Sequence, residues 1–485
     1  LTTLVKSNNF IPKNNFIMDI KLLKTLTVIF LSITLHAQDG SLDMSFNATG
    51  ASYVRAVEKL SNGKVLVAHA LSTSGGLKMF NSDGTNYNFT FSSIPSQVST
   101  SENWIQDIIE QPDGKIILLG GASTPRVNRY SSVGVLDNAF SVNVGTGANL
   151  PVRKGIVEPD GKIIIIGKFT AFNGVSKGGI VRLNADGTID NTFLATGTTN
   201  AIGISDVIRT SNGGYYVAGG FNNFNGQSTY KGTVKLKPNG TIDSSFTAFQ
   251  GADFLKIGLQ SDGKLIGATG YIIKRVNVNG TEDFGFAINN INQGNGIATP
   301  AAIHVQNDNK IIFTGTVSKH NGSNVINHIF RLTANGALDS ANFKIGTGPS
   351  NEIYSSQLTD DGTILIGGVF YQYNSVVRNY VARLNNASPP LYPENIATST
   401  YEFNEKKLTT ISVYPNPFEA DITLNIESTR MISNVSVIDI CGKKSEVSFI
   451  NNKVQTTNLA EGIYTLIVTF SDNTTGYAKV IKYNN

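Results

Sequence analysis

The sequence predicts an all-β chain, a seven-bladed β-propeller followed by a small C-terminal immunoglobulin-like β-sandwich. Three observations predict it. One phrase recurs seven times along the 485 residues, with a period of roughly fifty residues that suits propeller blades. Several strands inside the phrase are apolar without interruption. The composition, with 48 glycines, 40% hydrophobic and only 15% charged residues, is that of a turn-rich β protein rather than a disordered or helical one.

The phrase is an apolar stretch, an Asp-Gly or Asn-Gly turn, a second apolar stretch, a polar loop, then a strand with a second turn and a closing Asp-x-x-Phe. Its clearest copy, ending at Phe193, reads KGIVEPDGKIIIIGKFTAFNGVSKGGIVRLNADGTIDNTF. First turns stand at Asn62-Gly63, Asp113-Gly114, Asp160-Gly161, Asn212-Gly213, Asp262-Gly263, Asp308-Asn309 and Asp361-Gly362. Such dipeptides tolerate positive φ and predict tight type I′ hairpins. Behind them, Ile116 to Leu119, Ile163 to Ile166 and Ile364 to Ile366 show no alternation, so both faces of these strands are buried. A radial stack of sheets achieves that.

Second turns stand at Asp39-Gly40, Asp83-Gly84, Val133-Gly134, Asp186-Gly187, Asn239-Gly240, Asn279-Gly280 and Asn335-Gly336. The first precedes any first turn, and the last unit breaks off after Val381 to Leu384 without a second turn of its own. The N-terminal DGSLDMSF therefore supplies the missing strand and closes a ring, which removes the exposed edges of a linear array. An open solenoid would need capping repeats instead.

Residues 1–37 read as leader and signal peptide, with Met18 as the start. Lys21 and Lys24 precede the apolar Leu26 to Leu35, and Ala37 offers a small residue for cleavage. The apolar run is too short for a membrane span, and no transmembrane segment is expected. Without the leader's Lys6, Lys13, Lys21, Lys24 and Asp19, 35 basic face 34 acidic residues, and no charge run suggests nucleic-acid binding. Cys441 is the only cysteine, which excludes an internal disulfide and reads as a buried structural thiol.

At this point the residues carry a family resemblance. The string DGK-apolar-GG-x-F, then RLN-x-DGT-x-D-x-x-F, resembles the delta-60 repeat, and it covers 38–386 as a propeller domain. The resemblance implies architecture and an extracellular setting, and it brings no catalytic set. A Pro-rich change of composition at 387–410 marks a linker. Beyond it, 411–485 contains VYPNP at Val413 to Pro417, V-x-V-x-D-x-x-G at Val435 to Gly442, LAEGIYTLIV, and a terminal KVIK at Lys479 to Lys482. Together these resemble the type A sorting domain of the type IX secretion system of Bacteroidetes. The residues that match are Tyr414, Pro415, Asn416, Pro417, Gly462, Tyr464, Lys479 and Lys482. The resemblance implies engagement with the type IX secretion machinery and a secreted or surface location, usually with removal of this domain and often attachment to lipopolysaccharide.

Function is sought on the face that carries the longer connections. Its loops repeat an aromatic and Asn-Gly pattern: Phe172 and Asn173, Phe224 and Asn225, His320 and Asn321, Tyr373 and Asn374. Rings beside amides can stack on and hydrogen-bond to glycans or peptides; rings repeated in every blade can equally fill one packing niche. The turn aspartates lack calcium-loop spacing, and His69, His304, His320 and His328 lack metal-motif spacing. No nucleophile elbow, phosphate loop or zinc motif occurs, so no catalytic residue, cofactor or metal is assigned. The expectation is a monomeric, non-catalytic propeller that binds a glycan or protein. The alternative is a polysaccharide hydrolase or lyase with paired carboxylates at the channel mouth.

Overall fold

The computed structural model describes residues 38–391 and 409–483, apart from 71–74, 96–103, 123, 200–202, 250, 288, 294–295, 324–326, 411, 417, 419–420, 426–431, 440–443, 451–452, 457–458 and 471–474. The residues read as a leader, Pro417, Cys441, Gly442 and most of those read as a linker therefore lie outside the described residues. The chain divides into two compact units, 1–399 and 400–485. The described residues are mostly β, with a single helix at Asn138–Val144.

Turns set the plan of the first unit. At each first turn the glycine, or Asn309, sits at positive φ, between 63° and 87°, but the Asp or Asn before it does not. The type I′ expectation is thus corrected. In the first copy Gly63 N–H donates to Leu60 O (2.8 Å) and Leu60 N–H to Lys64 O (2.8 Å). This is a three-residue loop, a type I turn followed by a left-handed glycine. The Asp or Asn is present for its side chain: Oδ1 accepts the N–H two residues on, as from Lys64, Lys115, Lys162 and Lys264, an Asx turn.

Strand pairing is an antiparallel meander repeated from Val54 to Leu384. The first sheet pairs Val54–Lys59, Val65–Ala70, Gly75–Phe80 and Asn86–Tyr87 in order. Later sheets use Ile105–Glu110, Val152–Val157, Ile204–Arg209, Lys256–Leu259, Pro300–Val305 and Ile353–Leu358 as first strands. Every residue of the second strands Ile116–Gly120, Ile163–Gly167, Tyr215–Gly219, Ile311–Gly315 and Ile364–Gly368 is buried, as their unbroken apolar runs require. The reason is that cores lie between sheets: Ile117, Leu119 and Val127 of the second sheet share one with Val152, Ile163 and Val181 of the third. Each such side chain contributes about 1.5–3 kcal/mol by burial.

First strands pack on one another in succession, and Ile353–Leu358 packs back on Val54–Lys59. Val57 N–H donates to Ser355 Oγ (3.2 Å) and Lys59 N–H to Gln357 Oε1 (2.6 Å) across that junction. The seventh sheet, Ile353–Leu358, Ile364–Gly368 and Val381–Leu384, takes its outer partner from the N-terminal segment. Leu42 bridges to Leu384, and the second turn is assembled from two distant stretches of chain. In the third sheet Gly187 N–H donates to Asn184 O (2.9 Å) and Asn184 N–H to Thr188 O (2.8 Å); here Gly40 N–H donates to Asn385 O (2.8 Å) and Asn385 N–H to Ser41 O (2.8 Å).

The closing Asp-x-x-Phe is explained by a basic residue eight positions before its Asp. Arg182 Nε donates to Asp190 Oδ2 (2.8 Å), Arg275 to Asp283 (2.8 Å) and Arg331 to Asp339 (3.0 Å). The same guanidinium lies over the Phe, 4.8 Å from the ring centre of Phe193 and 5.0 Å from that of Phe286. It also reaches the neighbouring sheet, from Arg182 to Pro238 O (2.7 Å) and from Arg275 to Ala334 O (2.7 Å). One arginine thus fastens its own outer turn and the next sheet. Burial works against ionisation of Asp190, but the Thr192 hydroxyl and N–H and the Arg182 guanidinium prevail and hold its carboxyl down at about 2. In the second sheet Asp137 caps the short helix through Phe140 N–H (3.1 Å).

Glu158 is the exception in this network. Gln111 and Gln260 occupy the matching position, accepting from Arg129 (3.0 Å) and Arg275 (3.2 Å) and donating to Gly161 O and Asn309 O. Glu158 lies 3.6 Å from Arg182, and burial pushes its carboxyl up to about 7 despite that cation. Its folded pKa therefore exceeds the unfolded 4.5, so the unfolded state ionises first as pH rises. Stability falls between about pH 4.5 and 7, by up to about 3 kcal/mol at 1.36 kcal/mol per pKa unit. Glu158→Gln is expected to raise the melting temperature at pH 8 and leave it unchanged at pH 4; an equal effect at both would dismiss the ionisation account.

The second unit has two sheets around one core. One orders Thr409–Thr410, Thr475–Lys482, Gly462–Phe470, Ile432–Asp439 and Lys444–Glu446; the other orders Ser412–Tyr414, Ile422–Asn425, Lys453–Val454 and Phe449–Ile450. Alternate residues Val435 and Val437, and Tyr464, Leu466 and Val468, meet Phe418, Ile422 and Leu424 inside, the period of a strand with one buried face.

Candidate functional site

The meander places first and second turns at one end of the strands and the longer connections at the other. On that second side the chain forms small hairpins, Ala171–Phe172 with Val175–Ser176 and Gln372–Tyr373 with Val376–Val377. The candidate rings face inward. Phe172 and Phe224 are fully buried, with ring centres 6.2 Å from Phe169 and 5.6 Å from Phe221. Tyr373 is buried too, and its hydroxyl donates to Gly40 O (2.8 Å); burial pushes that phenol far above its usual range.

The paired asparagines sit in the left-handed region, with φ of 47° at Asn173, 49° at Asn225, 47° at Asn321 and 50° at Asn374. Each clasps the segment arriving from the preceding sheet. Asn225 N–H donates to Gly197 O (2.7 Å), and its Oδ1 accepts from Thr196 N–H (2.8 Å) and Gly197 N–H (3.1 Å). Asn173, Asn321 and Asn374 do the same for Thr146, Asn290 and Gly348. Rings and amide oxygens of the repeated pattern thus hold the loops together.

The fifth and sixth sheets depart from the pattern. A tight turn at Thr269 to Ile272 (2.9 Å) stands where the third, fourth, sixth and seventh sheets have a long loop, and Asn289–Asn292 fills the space, pairing with both Ile272–Val276 and Lys319–His320. His320 is accordingly buried, with Nε2 2.6 Å from Asn289 Oδ1. Burial lowers its pKa.

What this side leaves exposed is non-repeating. Tyr53, Tyr271 and Tyr371 are 50%, 59% and 55% exposed. Near Tyr53 the Tyr354 hydroxyl donates to Glu352 Oε2 (2.6 Å), and Gln293 Nε2 donates to the other oxygen. Inner-strand carboxylates are engaged across sheets: Asp107 accepts from Gly155 N–H (2.9 Å), and Asp206 from Ile257 N–H (2.9 Å) and Lys154 (2.8 Å). Among the described residues no group of three or more His, Cys, Asp or Glu is placed to hold a metal. The exposed tyrosines were hard to foresee because each stands in one copy only.

In the second unit Tyr414, Pro415 and Asn416 are exposed, and Asn416 Oδ1 accepts from Ile481 N–H (3.0 Å) on the last strand. Tyr464 donates to Ala460 O (2.8 Å), while buried Lys482 donates to Thr456 O (2.6 Å). Gly462 opens the strand that pairs with the last one, and Lys479 stands opposite Thr465. The structure thus brings the first and last parts of the sorting motif side by side.

A family described as a domain of unknown function (DUF5122) beta-propeller matches residues 111–140, 158–193, 210–246, 306–341 and 359–387, and the secretion system C-terminal sorting domain matches 412–483. The chain joins DUF5122 propeller repeats to a type IX secretion sorting domain. This pairing is typical of Bacteroidetes, and it indicates a secreted or cell-surface protein. No helix among the described residues is long and apolar enough to cross a membrane. The DUF5122 matches omit the first and fifth sheets, the two whose second and third strands are joined by the shortest connections.

No curated protein matches the chain. Among solved structures it is similar to the extracellular domain assigned to a hybrid two-component system of B. thetaiotaomicron, at 12% identity and a TM-score of 0.44, covering 92% of this chain and 59% of that one. It is similar also to PorZ, a surface component of the type IX secretion system of Porphyromonas gingivalis, at 13% identity and a TM-score of 0.42, covering 91% and 61%. A third is virginiamycin B lyase from Staphylococcus aureus, at 16% identity and a TM-score of 0.45, covering 70% and 97%. The chain thus spans about three fifths of the first of these relatives.

Proposed function

We propose that the DUF5122 repeats form a seven-bladed propeller closed by its own N-terminal strand, linked to an immunoglobulin-like sorting domain. The propeller binds an extracellular glycan or protein through its long-loop face and catalyses nothing. The observation that carries this reading is the set of exposed rings Tyr53, Tyr271 and Tyr371 above a layer in which the repeated rings are buried. Amphipathic rings with one wet side are what binding faces use, and loops on a rigid scaffold are where binding resides. Asp107, Asp206 and Glu352 are occupied in hydrogen bonds, which speaks for binding over hydrolysis. In this reading Phe172, Asn173, Phe224, Asn225, His320, Asn321, Tyr373 and Asn374 shape the loops that present the ligand surface.

The test is a glycan array and a surface-protein capture with the exported protein, alongside a polysaccharide hydrolysis screen. At least one ligand is expected, with affinity reduced about tenfold or more by Tyr53→Ala or Tyr371→Ala, as befits an aromatic anchor. Turnover without tyrosine dependence, or no ligand at all, would refute the proposal.

A further inference from the structure

A deviation from the repeat and a bulge shared by most of its sheets meet at one place on the long-loop side. The residue before the third strand is left-handed in several sheets. Two use glycine, Gly179 (φ 79°) and Gly232 (φ 67°), whereas others hold Arg126 (φ 60°), His328 (φ 66°) and Tyr380 (φ 70°). Bulky residues rarely accept this conformation, and where they do the side chain is wanted there. At Gly179 a β-carbon would come within 2.7 Å of Gly167 O, so the sheets that carry side chains here have made room for them.

The second feature, a bulge, lies one residue into the first strand and recurs in six sheets. Register shifts between Val54 and Ala56, Val152 and Lys154, Ile204 and Asp206, and Ile353 and Ser355 leave one residue of each strand unpaired in a bulge. These residues reach sideways: Arg153 donates to Ser205 Oγ (3.1 Å), and the Arg55 guanidinium stacks 4.2 Å from the ring centre of Tyr354.

Around Arg55 the two features converge. Tyr53 and Tyr380 meet edge to face, with ring centres 5.7 Å apart. Tyr354 carries Arg55 on its ring and holds Glu352 by its hydroxyl, and Gln293 holds the other oxygen of Glu352. Arg129, Arg182, Arg275, Arg331 and Arg383 all pair with an Asp; Arg55 makes no ion pair among the described residues, and its Nε is buried without a hydrogen-bond partner.

We infer that this cluster is a saccharide subsite for a sugar carrying a carboxylate, a uronate, with Arg55 pairing the carboxylate and Tyr53 receiving the face of the sugar ring. This rests on the binding role proposed above. A guanidinium oriented by stacking offers a planar fork that fits a carboxylate. Tyr53 presents its half-exposed ring two residues before Arg55. Glu352, fixed by Tyr354 and Gln293, accepts from a sugar hydroxyl.

Titration calorimetry of the whole exported protein with galacturonate and mannuronate trimers, their methyl esters and neutral galactose trimer tests this. At least one acidic trimer is expected to bind ten times or more tighter than its ester and the neutral sugar. Arg55→Ala should abolish the preference for acid over ester, Arg55→Lys retain part of it, and Tyr53→Ala weaken acid and ester alike. Arg126→Ala, at the position before the third strand that Tyr380 holds in the seventh sheet, should leave binding unchanged, and melting curves establish that each variant folds. Equal binding of acid and ester, an unaltered preference in Arg55→Ala, or binding of acidic peptides alone overturns the inference. Binding to a neutral glycan or a protein without any uronate overturns this subsite and leaves the general binding role standing; absence of every ligand defeats both.

Discussion

A circular permutant of residues 39–386, with Asn386 joined directly to Asp39 and new ends opened at Gly251, is expected to fold and unfold cooperatively. The linear chain lacking residues 38–47 is expected to lose cooperative unfolding and to aggregate. Direct joining suffices because the two chain stretches already form one turn: Asn385-Asn386 and Asp39-Gly40-Ser41 make the hydrogen bonds that Asn184 to Thr188 make in an unbroken copy. The deletion removes the buried side chains Leu42 and Phe46, worth about 1.5–3 kcal/mol each. It also removes backbone hydrogen bonds from Gly40, Asp43, Asn47, Lys344 and Asn385, worth about 0.5–1.5 kcal/mol each. The loss is of the order of 10 kcal/mol, comparable with the whole stability of many domains, and Val381–Leu384 becomes an open strand edge. Denaturant curves followed by tryptophan fluorescence and by circular dichroism check both variants. A deletion that unfolds at the wild-type midpoint would show that closure contributes nothing.

The pairing of the N-terminal segment with the last strand of the repeats was legible because it is a matter of counting turns: Asp39-Gly40 comes too early and Val381 to Leu384 ends too soon. Burial of the second strands was legible for a similar reason, since alternation is what one wet face would impose. The turn type was not, because Asp-Gly suits both a type I′ turn and a three-residue loop, and only the hydrogen bond from Gly63 to Leu60 separates them. The eight-residue spacing of Arg182 and Asp190 is visible in the chain, yet the partner that makes it a clamp between sheets is the backbone carbonyl of Pro238, which no residue type announces. The same limit applied to the candidate site. A ring before Asn-Gly reads alike whether it faces a ligand or a core, and the buried Phe172 and Phe224 hold loops. Tyr53, Arg55 and Glu352 carry no repeat signal at all, and their neighbours Tyr380 and His328 stand out only against the glycines of sister sheets.

Arg331→Ala should be the most damaging single substitution among the repeated arginines. Arg331 is 1% exposed and serves five attachments, the longest from Nη1 to Gln306 Oε1 (3.5 Å). Nε donates to Asp339 Oδ2 (3.0 Å), Nη1 to Asp39 Oδ2 (2.7 Å) and Asn386 Oδ1 (3.2 Å), and Nη2 to Asn342 O (3.2 Å). Its guanidinium lies 4.9 Å from the ring centre of Phe343. Removing it leaves Asp339 buried without its cation, and the penalty for breaking a buried pair from one side is about 3–5 kcal/mol, or roughly 5 °C in melting temperature for a unit of this size. Arg383, at the equivalent position of the seventh sheet, is 16% exposed, and water compensates part of what Asp43 loses, so Arg383→Ala should cost less. Arg331→Lys keeps the charge but not the fork, so it should recover part of the loss. The ring junction sharpens the expectation, because Asp39 belongs to the closing strand and Asn386 to the end of the repeats. In the unjoined chain Arg331 therefore holds both ends of the sutured turn, and in the circular permutant the Asn386–Asp39 bond shares that task. Arg331→Ala should accordingly destabilise the permutant less than the linear protein; an equal loss in both would mean that the arginine serves only its own sheet.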